Sequence, residues 1–219
     1  SASARVNGAQ FVPWFHSQGW VLKLLPPFPW KALWWLSGQK GLKRLMWYGV
    51  LPLQRCYEIL FKIRGSHLVI VHKCLVTMQK KPVLETLLRR RHRHVIFNYD
   101  DAVYEKGIPY VSDRIRLANA VWVGNPILIE YSKRYCDHVA LIESAVDCSH
   151  YSAKESYVAN NPLQLIWSGT AFSQQYLEVL RAPLKELARK RKYVIRIISG
   201  KKFSFCDPDI VEEWVPFDE

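Results

Sequence analysis

The segment His94–Glu105 has the sequence HVIFNYDDAVYE and joins a strand-like run to a pair of acids. Its apolar residues Val95–Phe97 predict a buried strand over Val95–Tyr99, and Asp100 and Asp101 follow that strand directly. In an open α/β sheet, ligands bind outside the carboxyl ends of the strands. We therefore expect functional side chains at this end of the strand.

Other strand-like runs alternate with helical patterns around this segment. Short apolar runs predict strands, and longer periodic segments predict helices. The predicted strands are His67–His72, 120–124 and His138–Ile142, and the predicted helices are Pro82–Arg91 and Pro126–Tyr135. The run HLVIVH at residues 67–72 is typical of a strand buried on both faces. This alternation predicts an α/β fold with a parallel, doubly wound sheet.

The first 66 residues predict helices and one further strand. A short helix should end near Gly19, and a strand should cover Trp20–Leu25 before the prolines at 26, 27 and 29. A helix is expected over Trp30–Tyr48, and Pro52 fits the first turn of another. The predicted buried stripe of that second helix is Leu53, Cys56, Tyr57 and Leu60. A Rossmann-like unit normally opens with a strand, so we expect one to precede Ser1.

A polar segment divides the chain near its middle. Residues 151–162 (YSAKESYVANNP) show no periodic apolar pattern and predict a linker between domains covering 1–150 and 163–219. The second part predicts a strand over Leu163–Trp167, a loop, a helix over about 173–190 and a strand over Tyr193–Ile198. Tyr176, Leu177, Leu180, Leu184 and Leu187 form its predicted apolar face. Pro183 should kink or divide that helix.

The net charge of +12 is unevenly distributed along the chain. Residues 1–94 contain 16 Lys and Arg residues and only two acids, Glu58 and Glu85, which gives a net charge of +14. Residues 95–219 contain 15 Lys and Arg residues and 17 acids, which gives a net charge of −2. Six of the nine tryptophans lie within the first 47 residues. Tryptophan and lysine together suit the surface of an anionic membrane. A solvated basic face above an aromatic core fits the same composition.

Nucleic acid is not an expected partner. The basic run Arg89–His94 ends a predicted helix, where cations interact favourably with the helix dipole. Proteins that bind single strands combine such charges with stacking aromatic side chains, and none lies within this run. The start SASARVNGAQ is unlike a signal peptide, and no apolar run is long enough to span a membrane. We expect a cytoplasmic protein with reduced cysteines, since the five cysteines show no CxxC spacing.

Two candidate sites remain open to several interpretations. Asp100 and Asp101 suit a metal pair, a general base, a hydrogen-bonding clamp for a sugar, or a cap for the following turn. Ser168-Gly169-Thr170 separates a strand from a helix, where backbone N–H groups could bind a phosphate. A plain turn explains that loop equally well. Asp147, Cys148 and His150 have no matching cluster elsewhere, so we expect no metal site.

Five segments in order match motifs of one family. They are Ser1–Arg5 (an S-x-R segment), Asn98–Ala102 (a Y-D-x-D-D-A type motif), Val121–Pro126 (v-x-v-g-N), Val139–Asp147 (a strand ending in V-D) and Ile166–Thr170 (I-G-W-x-G-[ST]). With these motifs the sequence resembles glycosyltransferases of family four. Those are retaining enzymes of the GT-B fold, which has two facing Rossmann-like domains.

The resemblance implies transfer of a sugar from a nucleotide-diphosphate donor to an acceptor hydroxyl, with no metal or other cofactor. It implies front-face displacement, in which the donor phosphate helps to deprotonate the acceptor. The acceptor would be a glycan or a lipid-linked glycan, at the inner face of an anionic membrane. The implied residues are Asp100 and Asp101 for catalysis, Ser3, Arg5 and Asn125 for the acceptor, and Ser168, Gly169, Thr170 and Lys201 for the donor.

The sequence also departs from the family pattern. Asn98–Ala102 has one residue fewer between the tyrosine and the acids, and Glu143-Ser144-Ala145 replaces a proline–glycine turn. No basic residue closely follows Thr170, and the family's later lysine and E-x7-E motif would lie beyond Glu219. We therefore expect a fragment that binds donor weakly and is inactive alone. The alternative is a non-catalytic basic α/β module that binds an anionic polymer or a protein partner.

Overall fold

The computed structural model describes residues 8–28, 42–77, 79, 81–106, 108, 110–148 and 151–217. The chain divides into two compact units, Ser1–Tyr151 and Ser152–Glu219. Each unit contains a parallel sheet, with helices in every connection of the first sheet and between the first two strands of the second, which is a Rossmann-like arrangement. The predicted α/β fold with parallel sheets is therefore confirmed.

Four parallel strands form the first sheet in the order of the sequence. They are β1 (Val69–His72), β2 (Val95–Tyr99), β3 (Ala120–Val123) and β4 (Val139–Leu141). All three neighbouring pairs are parallel, and Val71 aligns with Phe97, which aligns with Val121. Because every strand runs the same way, all four carboxyl ends lie at one edge. Asp100 and Asp101 follow β2 at that edge.

The core of the first unit lies where helices cover this sheet. The helices are α1 (Val12–Ser17), α2 (Leu51–Tyr57), α3 (Val83–Arg91), α4 (Val103–Lys106), α5 (Val111–Leu117) and α6 (Pro126–Lys133). Phe97, Val121 and Val123 are completely buried. In β1, by contrast, Ile70 is 38% exposed. The expectation that β1 is buried on both faces is therefore wrong, because no other described strand pairs with it besides β2.

Helical backbone continues on both sides of α2, in π-helical turns over Leu45–Val50 and Glu58–Lys62. We call this segment the 45–62 helix. Pro52 lies in the first turn of α2, as predicted. Of the helix predicted over Trp30–Tyr48, residues 30–41 lie outside the described ranges, and residues 43–48 are helical.

The predicted buried stripe of the 45–62 helix is wrong. Leu53 and Tyr57 are exposed and Cys56 and Leu60 half-buried, whereas the buried positions are Met46, Leu51, Arg55, Glu58 and Ile59. Arg55 and Glu58 form an ion pair at 2.6 Å, so their charges compensate each other in the interior. Ionic side chains enter an interior when they are paired in this way. An apolar pattern alone does not reveal such a face.

The strand predicted over Trp20–Leu25 is also wrong. These residues have no regular secondary structure, although α1 does precede them and Gly19 does end the turn with φ +79°. Side chains of the 45–62 helix hold the end of the segment instead. Arg55 donates to the Leu25 carbonyl (2.9 Å), and the Gln54 amide donates to the Pro26 carbonyl (3.1 Å). These two carbonyls thus have hydrogen-bond partners without a neighbouring strand.

The second unit has a three-stranded parallel sheet. Its strands are β5 (Leu163–Ser168), β6 (Tyr193–Ser199) and β7 (Glu212–Pro216), in that order. The sequence patterns did not predict β7. A 3-10 helix over Ser173–Leu180 meets α7 (Arg181–Lys190) close to Pro183, which confirms the predicted division. Leu177 and Leu184 are buried, whereas Tyr176 is exposed, so the predicted apolar face is only partly correct.

Candidate functional site

An ammonium group bridges the two predicted aspartates at the carboxyl edge of the first sheet. Lys73 Nζ lies 2.9 Å from an Asp100 carboxylate oxygen and 2.6 Å from Asp101 Oδ2. His72 lies beside them, with Nε2 at 4.0 Å from Asp100 Oδ2. We call these four residues the edge cluster. The tertiary structure thus brings the end of β1 against the end of β2.

The backbone that follows each strand builds the edge cluster. After β1, Lys73 adopts a left-handed conformation (φ +62°), and its N–H donates to the Asn98 carbonyl at 2.9 Å. A non-glycine residue with positive φ is uncommon and is retained where its surroundings fix it. After β2, the strand ends at Tyr99, so Asp100 and Asp101 no longer alternate between faces. Both carboxylates can therefore reach the same ammonium.

Gly124 lets β3 approach the edge cluster closely. It follows β3 directly, and its N–H donates to the Tyr99 carbonyl at 3.0 Å. A Cβ at this position would lie 3.2 Å from the Asp100 Cα and 3.3 Å from the Asp100 carbonyl oxygen. Both neighbours are backbone atoms that cannot rotate away. A glycine here therefore allows the backbone of Asp100 to lie where it does.

The charges of the edge cluster depend on one another. Burial alone would raise the pKa of Asp100, but the hydrogen bond and charge of Lys73 outweigh it and leave that pKa below its usual value. Burial opposes the charge of Lys73, yet hydrogen bonds to Asp101 and Asp100 raise its pKa overall. Burial lowers the pKa of His72 and outweighs the nearby Asp100 carboxylate. Asp100 is thus ionised and His72 neutral at pH 7.

This charge state determines the chemistry that the edge cluster can perform. A carboxylate with a lowered pKa is a weak proton acceptor, so Asp100 is poorly suited to act as a general base. Its oxygens remain strong acceptors of hydrogen bonds. The Asp101 side chain is 69% exposed and can meet a ligand directly. The edge cluster is accordingly suited to hold hydroxyl groups.

The three predicted acceptor residues have different positions. Ser3 and Arg5 lie outside the described residues. Asn125 follows β3 at the same sheet edge, where its Oδ1 accepts from the Leu128 N–H at 3.0 Å and caps α6. That contact is a helix cap, and it occupies the side-chain oxygen.

The predicted donor loop follows β5 in the second unit. Thr170 Oγ1 lies 3.2 Å from Ser173 Oγ and receives the Ser173 N–H at 3.4 Å, so it links the loop to the first residue of the 3-10 helix. A Cβ on Gly169 would lie 2.6 Å from the Trp167 ring and 2.8 Å from Ser173 Oγ. Ser168 is exposed at the end of the strand. The loop is a tight turn into a helix start.

Lys201 lies near that loop in the same unit, at the carboxyl end of β6. Its carbonyl oxygen accepts from Ser199 Oγ (2.7 Å), from the Trp214 indole N–H (3.1 Å) and from the Gln174 amide. Ser199 is fully buried and also receives the Gln174 amide at 2.8 Å. The backbone of Lys201 is therefore fixed, while its side chain is exposed.

Sequence patterns did not identify His72 and Lys73 as site residues. A signal existed, because His72 ends the predicted strand 67–72 and Lys73 directly follows it, just as Asp100 directly follows β2. Adjacent parallel strands place such residues side by side at one edge. Ser199, Gln174 and Trp214 carried no comparable signal. They meet only through the packing of the 3-10 helix and β7 against the end of β6.

A scan against models of known protein families found no match. A search of curated proteins likewise found no significant relative. Within the described ranges, no helix is long and apolar enough to cross a membrane.

Proposed function

We propose that the protein is a retaining glycosyltransferase of the GT-B type. It would move a sugar from a nucleotide-diphosphate donor to a hydroxyl of a glycan or lipid-linked acceptor, in the cytoplasm at the inner face of the cell membrane. The observation that carries this proposal is the edge cluster, where Lys73 holds Asp100 and Asp101 at the carboxyl edge of a parallel sheet. Ligands of open α/β sheets bind at that edge.

The edge cluster supports a role in holding the acceptor. Asp101 would accept a hydrogen bond from an acceptor hydroxyl, and Asp100 with Lys73 would fix its position. The lowered pKa of Asp100 argues against proton abstraction by that carboxylate. This agrees with a front-face displacement in which a donor phosphate oxygen takes the acceptor proton. Oriented reactants account for a large part of catalysis in such a mechanism.

The loop Ser168–Thr170 and Lys201 support a role in binding the donor. Backbone N–H groups at the start of the 3-10 helix and the Lys201 ammonium would face the diphosphate. Charge develops on that leaving group in the transition state, where preorganised donors stabilise it most. No metal or other cofactor enters this proposal.

The second candidate is a non-catalytic module that binds an anionic polymer. The burial of the acidic residues in positions 1–94 favours this second candidate. Glu58 and Glu85 are both buried, and each is paired with an arginine. Every exposed charged side chain described between residues 8 and 94 is therefore basic. This surface could bind an anion with no involvement of the edge cluster.

Binding and turnover measurements separate the two candidates. We would measure saturation-transfer NMR signals from UDP, GDP and ADP, and the release of nucleoside diphosphate from the corresponding sugar nucleotides with a lipid-linked glycan extract. We expect one nucleotide to bind and Thr170→Val to weaken that binding, because the loop loses the hydroxyl that contacts Ser173. In a chain extended by the family's lysine and E-x7-E motif, Asp101→Asn should reduce transfer at least tenfold, while Asp113→Asn, an exposed aspartate paired with Arg116, should not.

Two results would contradict the proposal that the protein is a glycosyltransferase. The first is the absence of binding by all three nucleotides, together with tight binding to a polyanion such as heparin. The second is unchanged transfer in Asp101→Asn. Either result would favour the binding module.

A further inference from the structure

The outer face of the 45–62 helix carries an apolar stripe that the described part of the chain leaves exposed. Its members are Leu45, Tyr48, Leu53, Tyr57 and Phe61, each more than half exposed. The rings of Tyr57 and Phe61 are in contact, with centroids 5.3 Å apart. We call this set the outer stripe. The opposite face holds Leu51, Arg55 and Ile59 against the core.

The π-helical turns keep the outer stripe on one side. Its residues are three, five, four and four positions apart, an average of four, which is longer than the 3.6-residue repeat of an α-helix. In a regular α-helix a four-residue spacing would rotate steadily around the axis. The i→i+5 turns at 45–50 and 58–62 are wider and counteract that rotation. The backbone irregularity therefore aligns exposed apolar side chains.

Basic residues lie at both ends of the outer stripe, and exposed acids are absent from this part of the described chain. Lys43 and Arg44 precede the stripe, Lys62 and Arg64 follow it, and all four are exposed. Glu58, the only acid of the helix, is buried against Arg55 at 2.6 Å. The surface is thus apolar along its length and purely basic at its ends. Its charge is complementary to an anionic partner.

We propose that the outer stripe binds the surface of an anionic lipid bilayer. Leucine, tyrosine and phenylalanine would enter the headgroup region, and the four basic side chains would meet lipid phosphates. A surface that binds single-stranded nucleic acid would instead combine aromatic rings, on which nucleobases stack, with basic side chains placed among those rings. In the outer stripe, two of the five residues are leucines, and the basic side chains lie at its ends. This inference does not depend on catalysis, since none of the stripe residues belongs to the edge cluster.

The structure also changes which residues carry the membrane prediction. Of the six early tryptophans, Trp30, Trp34 and Trp35 lie outside the described residues. Trp47 packs edge-on against the buried Phe28, with centroids 5.3 Å apart, and so belongs to the interior. Trp14 and Trp20 are exposed but lie before the 45–62 helix. The outer stripe contains no tryptophan. A test must therefore target leucine, phenylalanine and lysine.

Vesicle sedimentation of the full chain tests the proposal. The vesicles would contain phosphatidylcholine alone or phosphatidylcholine with one-third phosphatidylglycerol. We expect binding to the anionic vesicles only. Leu53→Ser/Phe61→Ser should weaken partitioning at least tenfold, whereas the matched pair Phe172→Ser/Val211→Ser, which is equally exposed in the second unit, should leave it unchanged.

A charge arm uses Lys43→Gln/Lys62→Gln against the matched pair Lys154→Gln/Lys202→Gln. A basic side chain near an anionic surface contributes a factor of about five, so the first pair should weaken partitioning about 30-fold. Far-UV circular dichroism and urea unfolding check that each variant is folded.

Three outcomes would overturn the proposal. The first is that the protein binds both kinds of vesicle equally or binds neither. The second is that Leu53→Ser/Phe61→Ser binds anionic vesicles as well as the parent does. The third is that the outer stripe forms a dimer or an oligonucleotide complex and the protein does not bind vesicles. Size-exclusion chromatography and fluorescence anisotropy with a labelled oligonucleotide detect the last of these.

Discussion

Lys73 has the largest influence on the edge cluster, because two carboxylates share its ammonium. Asp100 is largely buried, so its charge has lost part of its hydration and depends on this partner. Asp101 is mostly exposed and loses less when the partner is removed. Hydrogen bonds to charged groups contribute more than neutral ones, and solvent reduces that contribution at the surface.

Lys73→Met should therefore lower the free energy of unfolding by about 1–2 kcal/mol. The methionine keeps most of the side-chain volume while leaving Asp100 without its cation. Urea unfolding followed by circular dichroism measures the change. Lys133→Met, an exposed lysine on α6, serves as the control and should stay within about 0.5 kcal/mol of the parent. Equal effects of the two substitutions would contradict the proposed dependence.

His72 should make stability depend on pH in a narrow window. Burial lowers the pKa of His72 in the folded chain, so below pH 6.5 the unfolded chain takes up a proton that the folded chain resists. Stability is unaffected by His72 above that value and falls as the pH decreases below it. We expect His72→Gln to reduce the loss of stability between pH 7.5 and pH 5.5, measured as the urea midpoint.

The same comparison at pH 7.5 and pH 8.5 is the control for His72. The imidazole is neutral at both values, so the parent and the variant should change in parallel there. A parent whose stability decreases no more than that of His72→Gln on acidification would contradict the prediction.

At the scale of elements, the turn after β5 depends on the absence of a side chain at Gly169. A Cβ there would lie well within contact distance of the Trp167 ring and of Ser173 Oγ. Trp167 packs on the core of the second unit, so its ring has little room to move. Overpacking of this kind distorts neighbouring side chains.

Gly169→Ala should destabilise the protein by about 1–3 kcal/mol. Gly200→Ala is a matched control in the same unit, since a Cβ there meets nothing within 4 Å. Thermal unfolding of both variants measures the difference. Similar midpoints for the two alanine variants would show that the Trp167 ring moves aside at little cost.

At the scale of the whole molecule, the two units are joined by a segment without regular structure. Every residue from 151 to 162 is exposed. Exposed chain without regular hydrogen bonding is where proteases cut first. Lys154 is the only trypsin site within this segment.

Brief trypsin treatment should therefore release a fragment that begins at Glu155, identified by mass spectrometry. Cleavage within α7, at Lys185 or Arg189, should come later because the helix must open first. Lys154→Gln is the control and should abolish the Glu155 fragment. Cleavage in α7 before any cut after Lys154 would contradict the expectation that the linker is the more accessible segment.

The sequence determined most of the regular elements. Strand β2 has the predicted bounds, and β3, β4, β5 and β6 lie within about a residue of theirs, because buried parallel strands are marked by short apolar runs. The position of Asp100 at a strand end was predictable for the same reason. Strand β7 was missed because it begins with two acidic residues rather than with an apolar run. Glu212 accepts a hydrogen bond from the Phe205 N–H, and Glu213 pairs with Arg196.

Only the tertiary structure decided which distant side chains meet. Lys73 and Asp101 are 28 residues apart, and the pairing of β1 with β2 brings them within 2.6 Å. The inward face of the 45–62 helix was likewise hidden, because Arg55 and Glu58 are buried through contacts with each other and with distant carbonyls. Local sequence patterns predict whether a single residue is buried or exposed from its own polarity. Pairs that neutralise one another arise from packing, so the edge cluster and the outer stripe became visible only in the folded chain.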